Sequence, residues 1–170
     1  KEILELKRRF KQNFLLLMLA DVFTADREWV IHFCDKIIGT NIKIPWWCTT
    51  RVDRIDEELM RKMKSAGCIG LTFGVESGSQ RILNYLKKEI TLDEIKKAFS
   101  LCDKVGLLSI GFFMVGTPTE SFEDIKKTAV LIEEIKPDII TLIVTTPLPG
   151  SALYELAKEE GIFNVSNYLD

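Results

Sequence analysis

Short apolar runs alternate with amphipathic segments along this chain of 170 residues. Five of these runs have the length of strands and lie at residues 14–20, 44–50, 68–75, 107–115 and 138–145. Nearly every residue in them is hydrophobic, which is typical of strands with helices on one face and a packed interior on the other. The segments between them repeat polar and apolar residues at helical spacing. The pattern therefore predicts alternating strands and helices.

Residues that start and stop helices flank the amphipathic segments. Four of them stand at N-cap positions: Asp26, Asp56, Thr91 and Ser121. Those that end helices are Gly39, Gly67, Gly106, Pro137 and Gly161. The predicted helices lie at residues 1–12, 27–38, 57–66, 79–88, 92–105, 122–136 and 151–160, and the tail from residue 162 has no clear period.

The distance between successive strands is that of βα units. Strands begin near residues 14, 44, 68, 107 and 138, and each interval contains a helix, so neighbouring strands are expected to pair in parallel. Five such units form either an open doubly wound sheet or part of a barrel, since a full barrel needs eight. Because no linker or change in composition divides the chain, residues 1–170 are interpreted as one domain.

Composition narrows the possible classes of protein. Hydrophobic residues make up 46% of the chain and charged residues 28%, which is globular usage. The longest apolar runs fall short of the ~20 residues that a membrane span needs. A net charge of −2 offers no basic excess for nucleic acid, and the basic residues near the N-terminus fit a solvated helix face. We expect a cytoplasmic protein with no membrane segment and find no direct evidence for nucleic-acid binding.

The metal-ligating residue types are sparse and widely spaced. Cys34, Cys48, Cys68 and Cys102 include no pair with the spacing of a metal knuckle, and they lie in apolar stretches. His32 is the only histidine. The sequence therefore predicts no metal ligands in this chain, and no catalytic triad that uses histidine.

Polar residues and glycines collect at the carboxyl end of every predicted strand, where α/β proteins bind ligands. They occupy residues 21–26, 49–51, 74–79, 116–120 and 145–150. Glu76 is the most informative of them, because a carboxylate directly after a buried strand needs a hydrogen-bond donor, which is often a ligand group. Its alternative role is to cap the helix that begins near Ser79.

Several of these segments resemble the core of radical S-adenosylmethionine (SAM) enzymes. They are Gly-Val-Glu-Ser-Gly-Ser-Gln-Arg-Ile-Leu (74–83), Gly-Phe-Phe-Met-Val-Gly-Thr-Pro-Thr-Glu-Ser (111–121) and Thr-Pro-Leu-Pro-Gly-Ser-Ala-Leu-Tyr (146–154). The segments Phe-Thr-Ala-Asp-Arg (23–27) and Trp-Cys-Thr-Thr-Arg (47–51) extend the resemblance to about residues 14–160. The likeness is greatest to members that often carry a cobalamin-binding domain upstream.

The resemblance implies a fold and a chemistry. The fold is a parallel, partial TIM-type barrel in which these five βα units are family strands two to six and the helices lie on the outer face. In the family, a 4Fe-4S cluster on a Cys-x3-Cys-x2-Cys loop cleaves SAM to a 5′-deoxyadenosyl radical, which serves methyl transfer, cyclisation or rearrangement. This sequence has no such loop. We therefore expect a fragment that is inactive alone, with the cluster ligands outside this chain.

The resemblance also implies cofactor-binding residues. Glu76 matches the position that reaches the ribose hydroxyls and Ser77 follows it, while Lys88 matches a basic residue for the methionine carboxylate. The adenine would contact two stretches: Met114, Val115 and Gly116, and Val144, Thr145 and Thr146. Thr49 and Arg51 would lie near the methionine or the substrate. Asp21 is what this chain keeps of an Asp-Asp-x-Phe motif, and Phe112 replaces an aspartate of some relatives.

The partners that the resemblance implies are a substrate, a small molecule or another kind, and an upstream domain that binds cobalamin. Catalytic residues are not assigned. Two other interpretations stay open. One is a non-catalytic relative whose barrel serves as a binding or assembly module. The other is an unrelated doubly wound nucleotide-binding domain, which this sequence disfavours because Gly-x-Gly-x-x-Gly does not follow the first strand.

Overall fold

The computed structural model describes residues 2–10, 14–41 and 43–161. The strands there are β1 (Leu16–Met18), β2 (Trp46–Thr50), β3 (Cys68–Glu76), β4 (Leu108–Val115) and β5 (Ile139–Val144). The helices are α1 (Glu2–Arg9), α2 (Arg27–Gly39), α3 (Glu57–Ser65), α4 (Gln80–Tyr85), α5 (Leu92–Val105), α6 (Phe122–Ile135) and α7 (Ala152–Glu159), with a short 3-10 helix at Val52–Arg54. Residues 1, 11 and 12 of the predicted first helix, and the tail from residue 162, lie outside the described residues.

The five strands pair in parallel and in chain order, β1-β2-β3-β4-β5. The sheet curls into a half-barrel with the helices around it. The prediction of a partial TIM-type barrel is therefore confirmed. The doubly wound alternative is wrong, because that fold requires the strand order to reverse partway along the chain.

The predicted N-caps are confirmed. Asp26, Asp56, Thr91 and Ser121 each accept a hydrogen bond from the backbone amide three residues later. Some predicted ends differ. Gly39 is the last residue of α2 and not its stop; the residue with positive φ (54°) is Asn41, two positions later. The helix predicted at 79–88 ends at Tyr85, so Lys88 lies in the segment after the helix, where it bonds the side chain of Glu76.

The core lies between the sheet and the helices that cover it. The large side chains of Trp46, Phe73, Phe99 and Phe113 are fully buried, and the Trp46 indole donates to the carbonyl of Ala66 over 2.9 Å. Strand β5 is an exception to the expectation that both faces of every strand are buried. Its residues Ile139, Ile140, Leu142, Ile143 and Val144 are 47–68% exposed. As the last strand in the sheet, β5 pairs only with β4.

The longest helices within the described ranges, α5 and α6, have 14 residues. Such a helix is about 21 Å long, whereas the hydrocarbon core of a bilayer is about 30 Å thick. Among the residues that the structure describes, no helix is long and apolar enough to span a membrane.

Candidate functional site

An open pocket of about 570 Å³ lies at the carboxyl ends of the first four strands. This is the end of the sheet at which parallel α/β folds bind ligands. Five of the predicted site residues line it: Asp21, Thr49, Arg51, Glu76 and Lys88. The remaining lining residues are Leu19, Ala20, Val22, Thr50, Gly74 and Phe112.

Glu76 ends β3 in a strained turn. Its φ is +69°, and the amide of Ser77 donates to the carbonyl of Val75 over 3.0 Å, across Glu76. A hydrogen bond between residues i and i+2 around a positive φ is the geometry of the rarer, strained form of γ-turn. The pairing of β3 with β4 shifts register at the same point. The strand therefore stops at Glu76 and turns its side chain toward the pocket.

The carboxylate of Glu76 is paired with an ammonium group. Lys88 Nζ donates to Glu76 Oε1 over 2.7 Å, and the two side chains are 23% and 16% exposed. Lys87 and Glu89, on either side of Lys88, both have positive φ, and the Lys88 amide bonds the carbonyl of Leu83 over 3.0 Å. This irregular segment after α4 is what brings the lysine over the strand end. The Glu76 carboxylate thus accepts a hydrogen bond from Lys88, whereas the N-cap position of α4 is occupied by Ser79.

Gly74 makes room for this pair. A Cβ at position 74 would lie 2.7 Å from Glu76 Oε1 and 2.9 Å from Lys88 Nζ, both of which are too close. Phe112 is the partner of Gly74 in the register of β3 and β4, and it lines the same pocket. The two residues belong to different sequence segments, 74–83 and 111–121, and only the register of the strands shows that they are neighbours beside Glu76.

Arg51 adds a second cation to the pocket. Its Nε bonds Asp53 over 2.8 Å and its Nη2 donates to the carbonyl of Lys88 over 3.0 Å. The hydrogen bond to Asp53 raises the pKa of Arg51, so the guanidinium stays charged.

The loop after β1 is bonded to the end of β2. The hydroxyls of Thr24 and Thr50 are hydrogen-bonded to each other, and the Phe23 amide donates to the carbonyl of Thr49 over 2.9 Å. These bonds fix the loop after β1 to the end of β2.

The other predicted residues lie around the pocket or behind it. Ser77 is fully buried, with its hydroxyl 3.2 Å from that of Thr128 on α6. The remaining six lie together at the ends of β4 and β5: Met114, Val115, Gly116, Val144, Thr145 and Thr146. The carbonyl of Val115 accepts from Thr145 over 2.8 Å, and the amide of Gly116 donates to Glu120 over 2.6 Å. Contact of these residues with a cofactor stays a prediction.

The four thiols do not fit a 4Fe-4S cluster. Such a cluster needs cysteine thiolates, and all four cysteines are buried on separate elements. Burial raises the pKa of Cys34 and of Cys102 to about 12. A hydrogen bond with Cys68, together with burial, raises the pKa of Cys48. Within residues 2–10, 14–41 and 43–161, no group of three or more His, Cys, Asp or Glu side chains is placed to hold a metal ion.

Comparison with known proteins gives curated relatives of moderate identity. An uncharacterized methyltransferase of Pyrococcus horikoshii is 31% identical over 150 residues, which cover 88% of this chain and 33% of that protein. The anaerobic magnesium-protoporphyrin IX monomethyl ester cyclase of Rubrivivax gelatinosus is 30% identical over 148 residues, covering 85% of this chain and 27% of the cyclase. The chain therefore spans a third or less of the length of these relatives.

Solved structures share the fold at low identity. One is the radical SAM methyltransferase TsrM from Kitasatospora setae with cobalamin and a 4Fe-4S cluster bound, with TM-score 0.77, 17% identity, and coverage of 85% of this chain and 30% of TsrM. Another is the cobalamin-dependent radical SAM enzyme OxsB with aqua-cobalamin bound, with TM-score 0.71, 18% identity, and coverage of 93% and 24%. The sequence profile of the Radical SAM superfamily matches residues 1–132. The chain belongs to the radical SAM superfamily.

Proposed function

We propose that the strand-end pocket binds S-adenosylmethionine in a larger enzyme that carries out methyl transfer, cyclisation or rearrangement. Membership of the superfamily supports SAM as the ligand, and the methyltransferase and cyclase relatives support the reaction classes. Because the chain spans only part of these relatives, we assign the complete reaction to the longer protein. The alternative of a non-catalytic module has no comparable support.

The observation that carries the proposal is the Glu76 carboxylate, held at the carboxyl end of β3 beside the bare backbone of Gly74. A carboxylate can accept hydrogen bonds from both hydroxyls of a ribose. Lys88 supplies an ammonium 2.7 Å away, the charge that a methionine carboxylate requires. The site therefore holds complementary groups for the ribose hydroxyls and for the methionine carboxylate of SAM, with Arg51 as a second cation at the same pocket.

The adenine would lie against the ends of β4 and β5. Val115 and Val144 are register partners there, and both are accessible. An apolar strand end with exposed side chains suits an aromatic base, whose burial removes its faces from water. We keep Met114, Gly116, Thr145 and Thr146 in this proposed contact. Thr49 and Asp21, at the ends of the first strands, would face the methionine or the substrate.

The superfamily's cluster and cobalamin enter the proposal only as groups of the longer protein. When bound, a 4Fe-4S cluster supplies the electron for reductive cleavage of SAM. We place its ligands outside this chain, because the four thiols here do not fit it. The cobalamin bound in TsrM and OxsB supports cobalamin, and an upstream domain that binds it, as partners of the longer protein. A small-molecule substrate and a cytoplasmic location stay predictions.

The test is SAM binding by the full-length protein under anaerobic conditions, measured by calorimetry. Glu76→Ala removes two charge-assisted hydrogen bonds and should weaken binding about tenfold to a hundredfold. The matched control is Glu58→Ala, because Glu58 is an exposed acid paired with Arg27 away from the pocket. It should bind SAM as the wild type does. Absence of SAM binding by the wild type, or an unchanged affinity in Glu76→Ala, would contradict the proposed function.

A further inference from the structure

The three residues after Glu76, at positions 77–79, pack against helix α6. The Gly78 amide donates to the hydroxyl of Thr128 over 2.9 Å, and the Ser77 hydroxyl is 3.2 Å from the same oxygen. Thr128 in turn donates to the carbonyl of Asp124, one turn earlier in α6, over 3.1 Å. Ser77 and Thr128 are both buried. One hydroxyl of α6 therefore holds two consecutive residues of the loop.

A second anchor lies one turn nearer the start of α6. The Ser79 hydroxyl donates to Asp124 Oδ1 over 2.6 Å, and the Ser79 amide bonds the hydroxyl of Ser77 over 3.1 Å. The other carboxylate oxygen of Asp124 accepts from Arg81 and from Ser121. The Arg81 guanidinium and the two serine hydroxyls hold the pKa of Asp124 well below its usual range, so it stays an acceptor at neutral pH.

Gly78 shows how closely the loop approaches the helix. A Cβ at position 78 would lie 2.4 Å from the carbonyl oxygen of Lys127 and 2.6 Å from Cα of Thr128. The loop backbone therefore rests directly on the backbone of α6, and only glycine leaves room for this contact. Residues 77–79 are held by both hydrogen bonds and steric fit.

This anchoring explains how the strained turn at Glu76 persists. A non-glycine residue with φ of +69° keeps that conformation only when the surrounding structure over-determines it. Upstream, Gly74 pairs with Phe112 of β4 and the Val75 side chain is buried; downstream, α6 holds Ser77, Gly78 and Ser79. Glu76 is the one residue of this stretch whose side chain points into the pocket.

We propose that Thr128 is a positioning residue: by holding the Ser77 hydroxyl and the Gly78 amide against α6, it fixes the Glu76 turn and so sets the affinity for S-adenosylmethionine. This inference rests on the proposed function of the pocket. Thr128 does not line the pocket and acts only through Glu76. Its hydroxyl matters as the acceptor for the Gly78 amide, so serine should replace it and valine, which has the same shape, should not.

The test compares Thr128→Val and Thr128→Ser in the full-length protein, with SAM as the titrated ligand. Thr128→Val should weaken SAM binding about tenfold, while Thr128→Ser should stay within about twofold of the wild type. Hydrogen exchange supplies a readout without ligand. The amides of residues 76–79 should exchange faster in Thr128→Val, since the Gly78 amide loses its acceptor.

A matched control separates positioning from general stability. The control is Ile135→Val. Ile135 is a buried residue of the same helix, and the change removes one methyl group without altering residues 77–79. It should lower the melting temperature and leave SAM affinity unchanged. Wild-type affinity in Thr128→Val, equal losses in the valine and serine variants, or an equal loss in Ile135→Val would each overturn the inference. If Glu76→Ala weakens binding while Thr128→Val does not, only the positioning role is wrong; if the wild type does not bind SAM, the proposed function fails and the positioning role with it.

Discussion

Lys88 Nζ lies 2.7 Å from Oε1 of Glu76, although the two residues belong to different segments, β3 and the irregular stretch after α4. In this arrangement the ammonium and the carboxylate are hydrogen-bonded to each other. A ligand that carries both hydroxyls and a carboxylate can replace this pair with a new partner for each member. A ligand with hydroxyls alone must separate the pair and leave the ammonium without its partner, which costs free energy in a partly buried site.

The first prediction concerns this ion pair. Lys88→Gln should weaken SAM binding about threefold to tenfold, because the methionine carboxylate loses a charged partner. The same change should leave the affinity for 5′-deoxyadenosine equal or higher, since that nucleoside has no carboxylate and Glu76 is no longer masked. Calorimetric titration of both ligands measures the two effects.

Lys87→Gln is the control for Lys88→Gln, because it removes the same charge from the adjacent, exposed position. It should change neither affinity by more than about twofold. Equal weakening of both ligands in Lys88→Gln would show that the lysine does not discriminate by the carboxylate.

The second prediction concerns the space beside Glu76. In Gly74→Ala, the new Cβ would meet the ends of the Glu76 and Lys88 side chains at 2.7 and 2.9 Å. These flexible ends can move into the pocket, so the melting temperature should change little while SAM affinity falls about tenfold. Gly39→Ala is the control: nothing lies within 4 Å of its Cβ position at the end of α2, and binding should not change. A large fall in melting temperature with intact binding in Gly74→Ala would contradict this account.

The third prediction is a dependence of stability on pH. Asp124 is ionised with a native pKa below its ordinary 3.8, because Arg81 and the hydroxyls of Ser121 and Ser79 bond the charged form. Its contribution is complete above the unfolded pKa and is lost as pH falls through the lower, native value. The wild type should therefore melt at a higher temperature than Asp124→Asn. This difference in melting temperature should be largest above about pH 5 and should shrink below about pH 4. A difference that stays constant down to pH 3 would argue against this role.

The fourth prediction concerns the buried thiols. Burial raises the pKa of Cys34 and Cys102 to about 12, so both are protonated near neutral pH and inaccessible to reagents. In the folded protein at about pH 8, iodoacetamide should leave both unmodified, and both should react fully in denaturant. Mass spectrometry of the peptides that contain them gives the extent of labelling. Rapid labelling of either cysteine in the native protein would show that its side chain is accessible.

Local sequence determined the order and type of the elements. The four N-caps and the spacing of strands predict nearly every helix and strand, because capping and hydrophobic periodicity act within a few residues. The same reasoning placed Glu76 at a strand end, and parallel pairing then brought it to one edge with Thr49 and Arg51. Between an open sheet and a barrel, the residues alone left both possible, and only the family resemblance favoured the barrel.

Tertiary packing decided which side chains meet. The family resemblance implied separate ligand contacts for Glu76 and Lys88. Their mutual hydrogen bond was not predicted, because it depends on how the segment after α4 packs against the end of β3. The sequence predicted Ser121 as the cap of α6 but gave no role to Thr128, whose partners Ser77 and Gly78 lie 51 and 50 residues away. Capping acts within a turn of chain and can be seen in sequence, whereas a contact across 50 residues exists only once helix and sheet have packed.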